Sequence, residues 1–348
     1  MPSAAPPSVH APRVFNPVTI SAISADDFWV LGYTTWADGP SSIATTIWRT
    51  TDGGAHFAAL GSPGAVVPQM AAVARGPQPI PTVSGIRFAD ANRGWVFGDV
   101  TLETDDGGAT WAPVAGLPGD VVDLAAVGGA AWAVVQTNTS SGTYATFALY
   151  RTGYAQTISP TEWRPVSLTV QMADNPPSLA VQGTTVDMLA DDGIDGVGDE
   201  LITLPTTGAP TYRVGPCTTN LPAHLSAAPS PGVLWATCDS GHQEALFVTA
   251  DNGVQWTPIS NGNESAGTPV AGISSTLAVA GATTGPLELL TASGAVTMLH
   301  DPDTGVASFG MVTFVTPKVG FALAEFADDS TQLWRTSDAG QTWTTVTF

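Results

Sequence analysis

Positive charge is scarce in this chain. Its 348 residues hold 10 Lys plus Arg against 30 Asp plus Glu, a formal net charge of −20. Such a surface repels phosphate backbones and anionic lipid, which excludes nucleic-acid binding and leaves cations and neutral or basic partners. Long apolar runs are missing as well. Nothing approaches the ~18 residues of a membrane span, and no charged segment leads into an apolar one as a secretory signal would. The five histidines are scattered and the two cysteines stand alone, so neither set has the spacing of a zinc cage. A G-x-S-x-G elbow, a P-loop and a dinucleotide fingerprint are all absent. Only 11% of residues are charged while 43% are hydrophobic, which supplies a large core and excludes disorder outside the termini.

What is abundant is glycine (37), proline (28) and tryptophan (11), an all-β composition. Residues 1–16 read as a Pro/Ala-rich linker, expected to follow a signal or lipoprotein anchor, and residues 17–348 as one domain. The expected setting is therefore extracytoplasmic, with the protein a monomer. In that compartment Cys217 and Cys238 form a disulfide worth about 3 kcal/mol by loop entropy; the alternative is two buried thiols.

Internal repeats settle the architecture. Four segments align without gaps as T-x-D-x-G-x-x-aromatic: Thr50 to Phe57, Thr104 to Trp111, Thr249 to Trp256 and Thr336 to Trp343. In each, the carboxylate of Asp52, Asp106, Asp251 or Asp338 is placed to accept backbone N–H groups across a tight turn, and glycine supplies positive φ. The Thr hydroxyl closes the same loop, and the aromatic ring is expected to pin the turn onto the next blade. Seven short apolar strands recur beside these turns, starting at Phe28, Gly94, Ala131, Val186, Leu234, Thr276 and Gly320. An earlier strand precedes each copy, as in Val18 to Ala22. Three further turns, near Arg151, Thr206 and Thr291, have lost the motif. The sum is an all-β, seven-bladed β-propeller with four antiparallel strands per blade and the repeated turns between strands three and four.

The stretch from Gly94 to Trp111 (GWVFGDVTLETDDGGATW) resembles the repeats of photosystem II assembly-factor-like propellers and of the wider BNR/Asp-box group, which includes sialidases and xyloglucan-active glycosidases. The resemblance covers residues 18–348 and implies Asp boxes on the turns opposite the working face. Sialidases of this group hold the substrate carboxylate with three arginines. Here Arg49, Arg151 and Arg335 repeat with the fold, Arg93 falls in a turn, and Arg164 and Arg213 fall on outer strands. Arg13, Arg75 and Arg87 are left as anion ligands. Pro12-Arg13-Val14-Phe15 departs from the Phe/Tyr-Arg-Ile-Pro stretch of those enzymes, so a standard sialidase is not expected.

By fold analogy, ligands sit where the second-to-third strand loops and the inter-blade connections share a face. Trp36 and Asp38 lie in one such connection, and an exposed Trp suits stacking on a sugar; its alternative is packing under the long 60–84 connection. Arg75 lies in that connection and Tyr144 in another. His242, between Asp239 and Glu244, is either a general acid–base pair or a surface hydrogen bond. Asp191, Asp192, Asp195, Asp199 and Glu200, interleaved with glycine, are either a hard-cation loop for Ca2+ or a solvated acidic hairpin.

Three functions remain open. The first is a non-catalytic propeller binding a glycan or protein partner through Trp36, Asp38, Arg75, Tyr144 and His242. The second is a carbohydrate-active hydrolase or lyase drawing acid and base from Asp38, Asp239, His242, Glu325, Asp328 or Asp329. The third is an assembly scaffold.

Overall fold

A computed structural model describes residues 13–36, 39–67, 82–127, 129–138, 145–153, 162–168, 175–190, 199–218, 223–239, 244–259, 269–281, 285–299 and 301–348. Their strands form seven sheets, each of four consecutive antiparallel strands, and no helix occurs among them. This is a seven-bladed β-propeller. The first strands of the blades, Arg13–Ala22, Val83–Phe88, Asp120–Val127, Ser178–Gln182, Ala223–Ala227, Val270–Ser274 and Val306–Phe314, line the inner side of the ring and abut in series from blade one to blade seven, where Arg13–Ala22 meets Gly320–Phe326 and Thr331–Thr336.

The second strands are apolar without alternation because both faces of each sheet are covered by neighbouring blades. Gly94–Gly98 is buried at all five positions. Trp29, Trp95, Trp132 and Trp235 recur on second strands and are fully buried between blades. Burying each such ring contributes roughly 1.5–3 kcal/mol or more.

The four T-x-D-x-G turns share one hydrogen-bond set. In blade two the Thr104 hydroxyl donates to Asp106 Oδ1 (2.8 Å) and accepts the Gly108 N–H (2.9 Å). Asp106 Oδ1 then accepts the Thr110 N–H (2.9 Å) and Oδ2 accepts its hydroxyl (2.6 Å). The Thr336–Asp338–Thr342 turn repeats this arrangement, while His56 Nδ1 takes the outer position on Asp52 in blade one. The residue after each Asp is left-handed: Gly53 and Gly107 fill it freely, but Asn252 (φ 58°) and Ala339 (φ 62°) also adopt it. The degenerate turn at Thr291 keeps a Thr–Ser hydroxyl contact of 2.8 Å in place of the carboxylate.

The aromatic ring packs backward, contrary to the expectation that it pins the next blade. Trp111 joins the core between blades one and two, where Trp29 stacks on Phe88 with centroids 3.8 Å apart. Trp343 likewise packs in the core between blades six and seven. The reason is the direction of the turn: Gly340 lies against Val279 of the preceding blade, and Gly253 against Leu201. What reaches forward is arginine. Arg49 crosses Trp29, pairs with Asp27 (3.0 Å) and ends beside Gly107 of blade two. Arg151 crosses Trp132 and donates to the Thr206 carbonyl of blade four.

Among the described residues no strand is exchanged between blades one and seven. Their seam closes on Phe28 against Phe321 (4.8 Å between centroids), on Phe348 against Phe15 and Phe57, and on the Thr331 hydroxyl donating to the Pro17 carbonyl (2.6 Å).

Two outcomes follow from the turns. Hydrogen bonds from the His56 N–H, its ring and Thr50 hold Asp52 at about 2, and those from the Thr110 hydroxyl and N–H and from Thr104 do the same for Asp106, against an ordinary 3.8. A depressed folded value gives stability that is present above 3.8 and lost as pH falls towards 2. Denaturation titrations across that window should show this loss, and Asp106→Asn should flatten it; an unchanged acid limb in the variant would refute the assignment. Ala339→Gly should raise stability by about 1 kcal/mol by relieving the left-handed alanine, measured as a shift in the urea midpoint.

Candidate functional site

Antiparallel order puts first-to-second and third-to-fourth strand turns at one end of the molecule, and the remaining connections at the other. The turn end carries Arg49, Arg93, Arg151, Arg335 and Lys318. The opposite rim is acidic. Asp99 accepts the Thr82 hydroxyl (2.7 Å) and N–H, and Asp303 accepts Gln332 Nε2 (3.0 Å). Burial pushes the Asp120 carboxyl up, and the neighbouring Asp99 adds to it. Among the side chains described at this rim, Arg213, in register with Leu201, is the one Lys or Arg.

The expected site residues fall unevenly on this frame. Trp36 is the last residue of the Phe28–Trp36 strand, opposite Arg13 and Gly39, because the Thr-rich hairpin pairs further than a loop at this position allows. Asp38, Arg75, Tyr144, His242, Asp191, Asp192 and Asp195 lie outside the described residues. Asp199 is buried, its N–H donating to the Cys217 carbonyl (2.8 Å), and Glu200 opens the third strand of blade four. Among the described residues no three metal-ligating side chains come together. Asp239 ends its strand opposite Glu244. Glu325 accepts the Ser308 hydroxyl (2.7 Å), and Asp328 accepts the Ser330 hydroxyl (2.6 Å) within its own turn, which lowers its pKa. Asp329 adopts φ 64° and, after burial, is what raises the pKa of Tyr33 across the seam.

Cys217 and Cys238 are joined in a disulfide with Cα atoms 5.4 Å apart. It ties the connection entering blade five to that blade's second strand, beside Asp199 and Asp239 at the rim.

The channel wall holds polar residues that the repeats do not mark. Side-chain oxygens on first strands accept backbone N–H groups of the next blade: Ser21 from Phe88 (2.8 Å), Asp123 from Leu179 (2.9 Å), Ser178 from Leu225 (3.0 Å) and Ser226 from Gly272 (3.2 Å). Burial raises the Asp123 carboxyl, while Arg87 of blade two and His224 of blade five pull it down. Burial lowers the His224 imidazole, against the pull of Asp123. Arg87, Asp123 and His224 stand on the first strands of blades two, three and five. A carboxylate inside the apolar run Val121 to Ala126 was the signal available in the sequence.

No protein-family model and no curated protein sequence matches the chain. Solved structures do. One described as YCF48 bound to D1 peptide is 19% identical over 94% of this chain and 95% of its own, with a TM-score of 0.59. The β-propeller domain of the Trilobed protease from Pyrococcus furiosus, described as having an open velcro topology, is 6% identical over 96% of both chains, with a TM-score of 0.58. A puromycin hydrolase is 16% identical over 95% of this chain and 53% of its own, with a TM-score of 0.60. The likeness is one of fold.

Reducing the Cys217–Cys238 bridge, or replacing both cysteines with Ala, should lower stability by about 3 kcal/mol. Thermal denaturation with and without reductant checks this; an unchanged midpoint would mean that the bridge constrains nothing the packing does not.

Proposed function

We propose that the chain is an extracytoplasmic propeller of the Asp-box kind that binds a neutral or basic polypeptide at its acidic rim, without catalysis. The balance of charge carries this reading: the five cations of the turn end offset part of its many Asp residues, among them Asp26, Asp52, Asp106 and Asp338, whereas the described side chains of the opposite rim set Arg213 alone against Asp99, Asp120, Asp303, Glu325 and Asp328. Such a rim raises the local concentration of cationic segments and speeds their docking. Asp99, Glu325 and Asp328 are tied to their own loops or to adjacent strands, an arrangement suited to a fixed field. The shared turn geometry supports the Asp-box assignment, and the disulfide supports an oxidising compartment. A propeller of the same span, YCF48, is described with a peptide bound.

The second reading is a glycan-binding or carbohydrate-active propeller. The observation favouring it is Asp120, a rim carboxyl raised by burial and by the neighbouring Asp99 of blade two, the direction a general acid needs.

The test is a peptide array graded in net charge beside a glycan array, at low and physiological ionic strength. Lys- and Arg-rich peptides should be retained, more weakly as salt rises, and Asp328→Lys combined with Asp329→Lys should weaken them about tenfold. Glycan retention with no charge preference among peptides would favour the second reading, which further requires turnover that Asp120→Asn abolishes.

A further inference from the structure

The outer edge of each blade is its fourth strand, and a sheet edge offers unpaired N–H and C=O groups to any extended chain. At the rim end of that strand one N–H closes the ladder on the third strand. It belongs to Leu60, Val114, Val166, Gly215, Leu299 and Val346 in six blades, and by register to Ile259 in blade five. Bonded pairs alternate along an antiparallel ladder, so the residue just before turns its own N–H and C=O outward.

What stands at that outward position differs among the blades. Blades two, three and five have Pro113, Pro165 and Pro258, which lack the N–H and close the edge. In blades one and seven the outer strand is only two residues long, Ala58–Ala59 and Thr344–Thr345. Blade four places Val214 there, but Pro210 and Pro216 confine its edge and Arg213 charges it. Blade six has none of these guards. Its outer strand Val296–Met298 lies in a run from Thr291 to Leu299 with neither proline nor charge, and Met298 is 56% exposed.

The Leu299 N–H bonds the Leu287 carbonyl (2.8 Å) and the Thr291 N–H bonds the Ala295 carbonyl (2.9 Å), which leaves the backbone of Val296 and Met298 facing outward. Val296 packs on the core shared with blade five, and Met298, two residues on, extends that face into solvent.

The charge around this edge decides what fits it. Two and four residues beyond Leu299, Asp301 accepts the Leu287 N–H (3.3 Å) and Asp303 accepts Gln332 Nε2 (3.0 Å), so both carboxylates are held at the rim end. A strand antiparallel to Val296–Met298 enters from the rim, and its N-terminal flank passes these carboxylates. We infer that blade six takes an extended segment of a basic polypeptide as a fifth strand, β-branched where it pairs with Val296 and Met298 and bearing Lys or Arg just before. Its backbone completes the outward ladder, and an apolar side chain covers Met298. The inference rests on the reading of the rim as the docking site of a basic partner, and adds the place and the conformation in which that partner is held.

The experiment is fluorescence anisotropy with a labelled peptide, Lys-Lys-Ser-Val-Thr-Val-Thr-Val, beside the same peptide N-methylated throughout its Val/Thr strand, which keeps the charge but cannot donate. The parent peptide should bind saturably and the N-methylated one about tenfold or more weakly. Met298→Pro should weaken the parent by a similar factor with the melting midpoint unchanged, since the N–H removed closes no bond within the blade and three other blades carry proline at that position. Should the midpoint fall, the N-methylated peptide decides on the unaltered protein. Equal binding of the two peptides, binding unchanged in Met298→Pro, or no binding of the parent up to about 1 mM would each overturn the inference. Replacing both lysines of the peptide with serine separates the two readings. Binding that needs the lysines but survives Met298→Pro overturns the edge and leaves the rim; binding that ignores them but is lost in Met298→Pro overturns the rim and leaves the edge.

Discussion

A blade of four strands has two apolar faces and cannot stand alone, so the structure depends on how each blade grips its neighbours at the turn end. The grip runs in both directions. The aromatic after each Asp turn packs back onto the preceding blade, and a third-strand arginine crosses a tryptophan to reach the turn of the following one. Blade two tests the rule by breaking it. Its third strand has Glu103 where Arg49, Arg151 and Arg335 stand, and the guanidinium comes instead from Arg93 in the blade's first turn. Arg93 still lies over Trp95 (5.3 Å to the ring) and is held by buried Glu103. In blades one to three the contact between cation and ring is kept while the strand that supplies it changes; blades four to six carry Pro205, Val248 and Leu290 at the arginine position.

Ring closure follows from the same constraint. With no strand crossing between blades one and seven among the described residues, their seam is held by five phenylalanines and a hydroxyl bond to Pro17. Aromatic pairs contribute beyond their buried area, so this local enrichment compensates for the missing ladder. The other interfaces add bonds from first-strand Ser and Asp side chains to the next backbone, which fix the height of each blade around the channel.

The architecture was legible because its signals repeat. The seven apolar second strands start within one or two residues of where the sequence places them, and the four Thr–Asp–Gly turns share one bonding pattern. The direction of the aromatic packing was not legible, since a one-dimensional pattern does not say which face of a sheet a turn leans over. Trp36 reads as a loop residue because Thr34 to Ala44 carries Gly and Pro, yet backbone pairing continues to Trp36 and Gly39. Arg87, Asp123 and His224 are scattered over some 140 residues (224 − 87 = 137). Only closure of the ring brings first strands of distant blades to one channel, and periodicity within a blade holds no trace of that.

Residues of one type then separate by what they do to their own titration. Asp106 is drawn down to about 2 by the hydroxyl and N–H groups that build its turn, so its charge is consumed by the fold. Asp120 and Asp123 move the other way, each raised by burial. A carboxylate buried against its own ionisation costs stability, and such groups persist where something other than packing requires them. Asp123 is partly accounted for by its bond to Leu179, whereas no hydrogen bond of that kind ties Asp120 among those described. The two sit at successive levels, rim and channel wall, on one strand of blade three. That strand therefore holds two carboxylates that the repeating turns do not account for, and the strands of Asp187 and Glu288 hold one each.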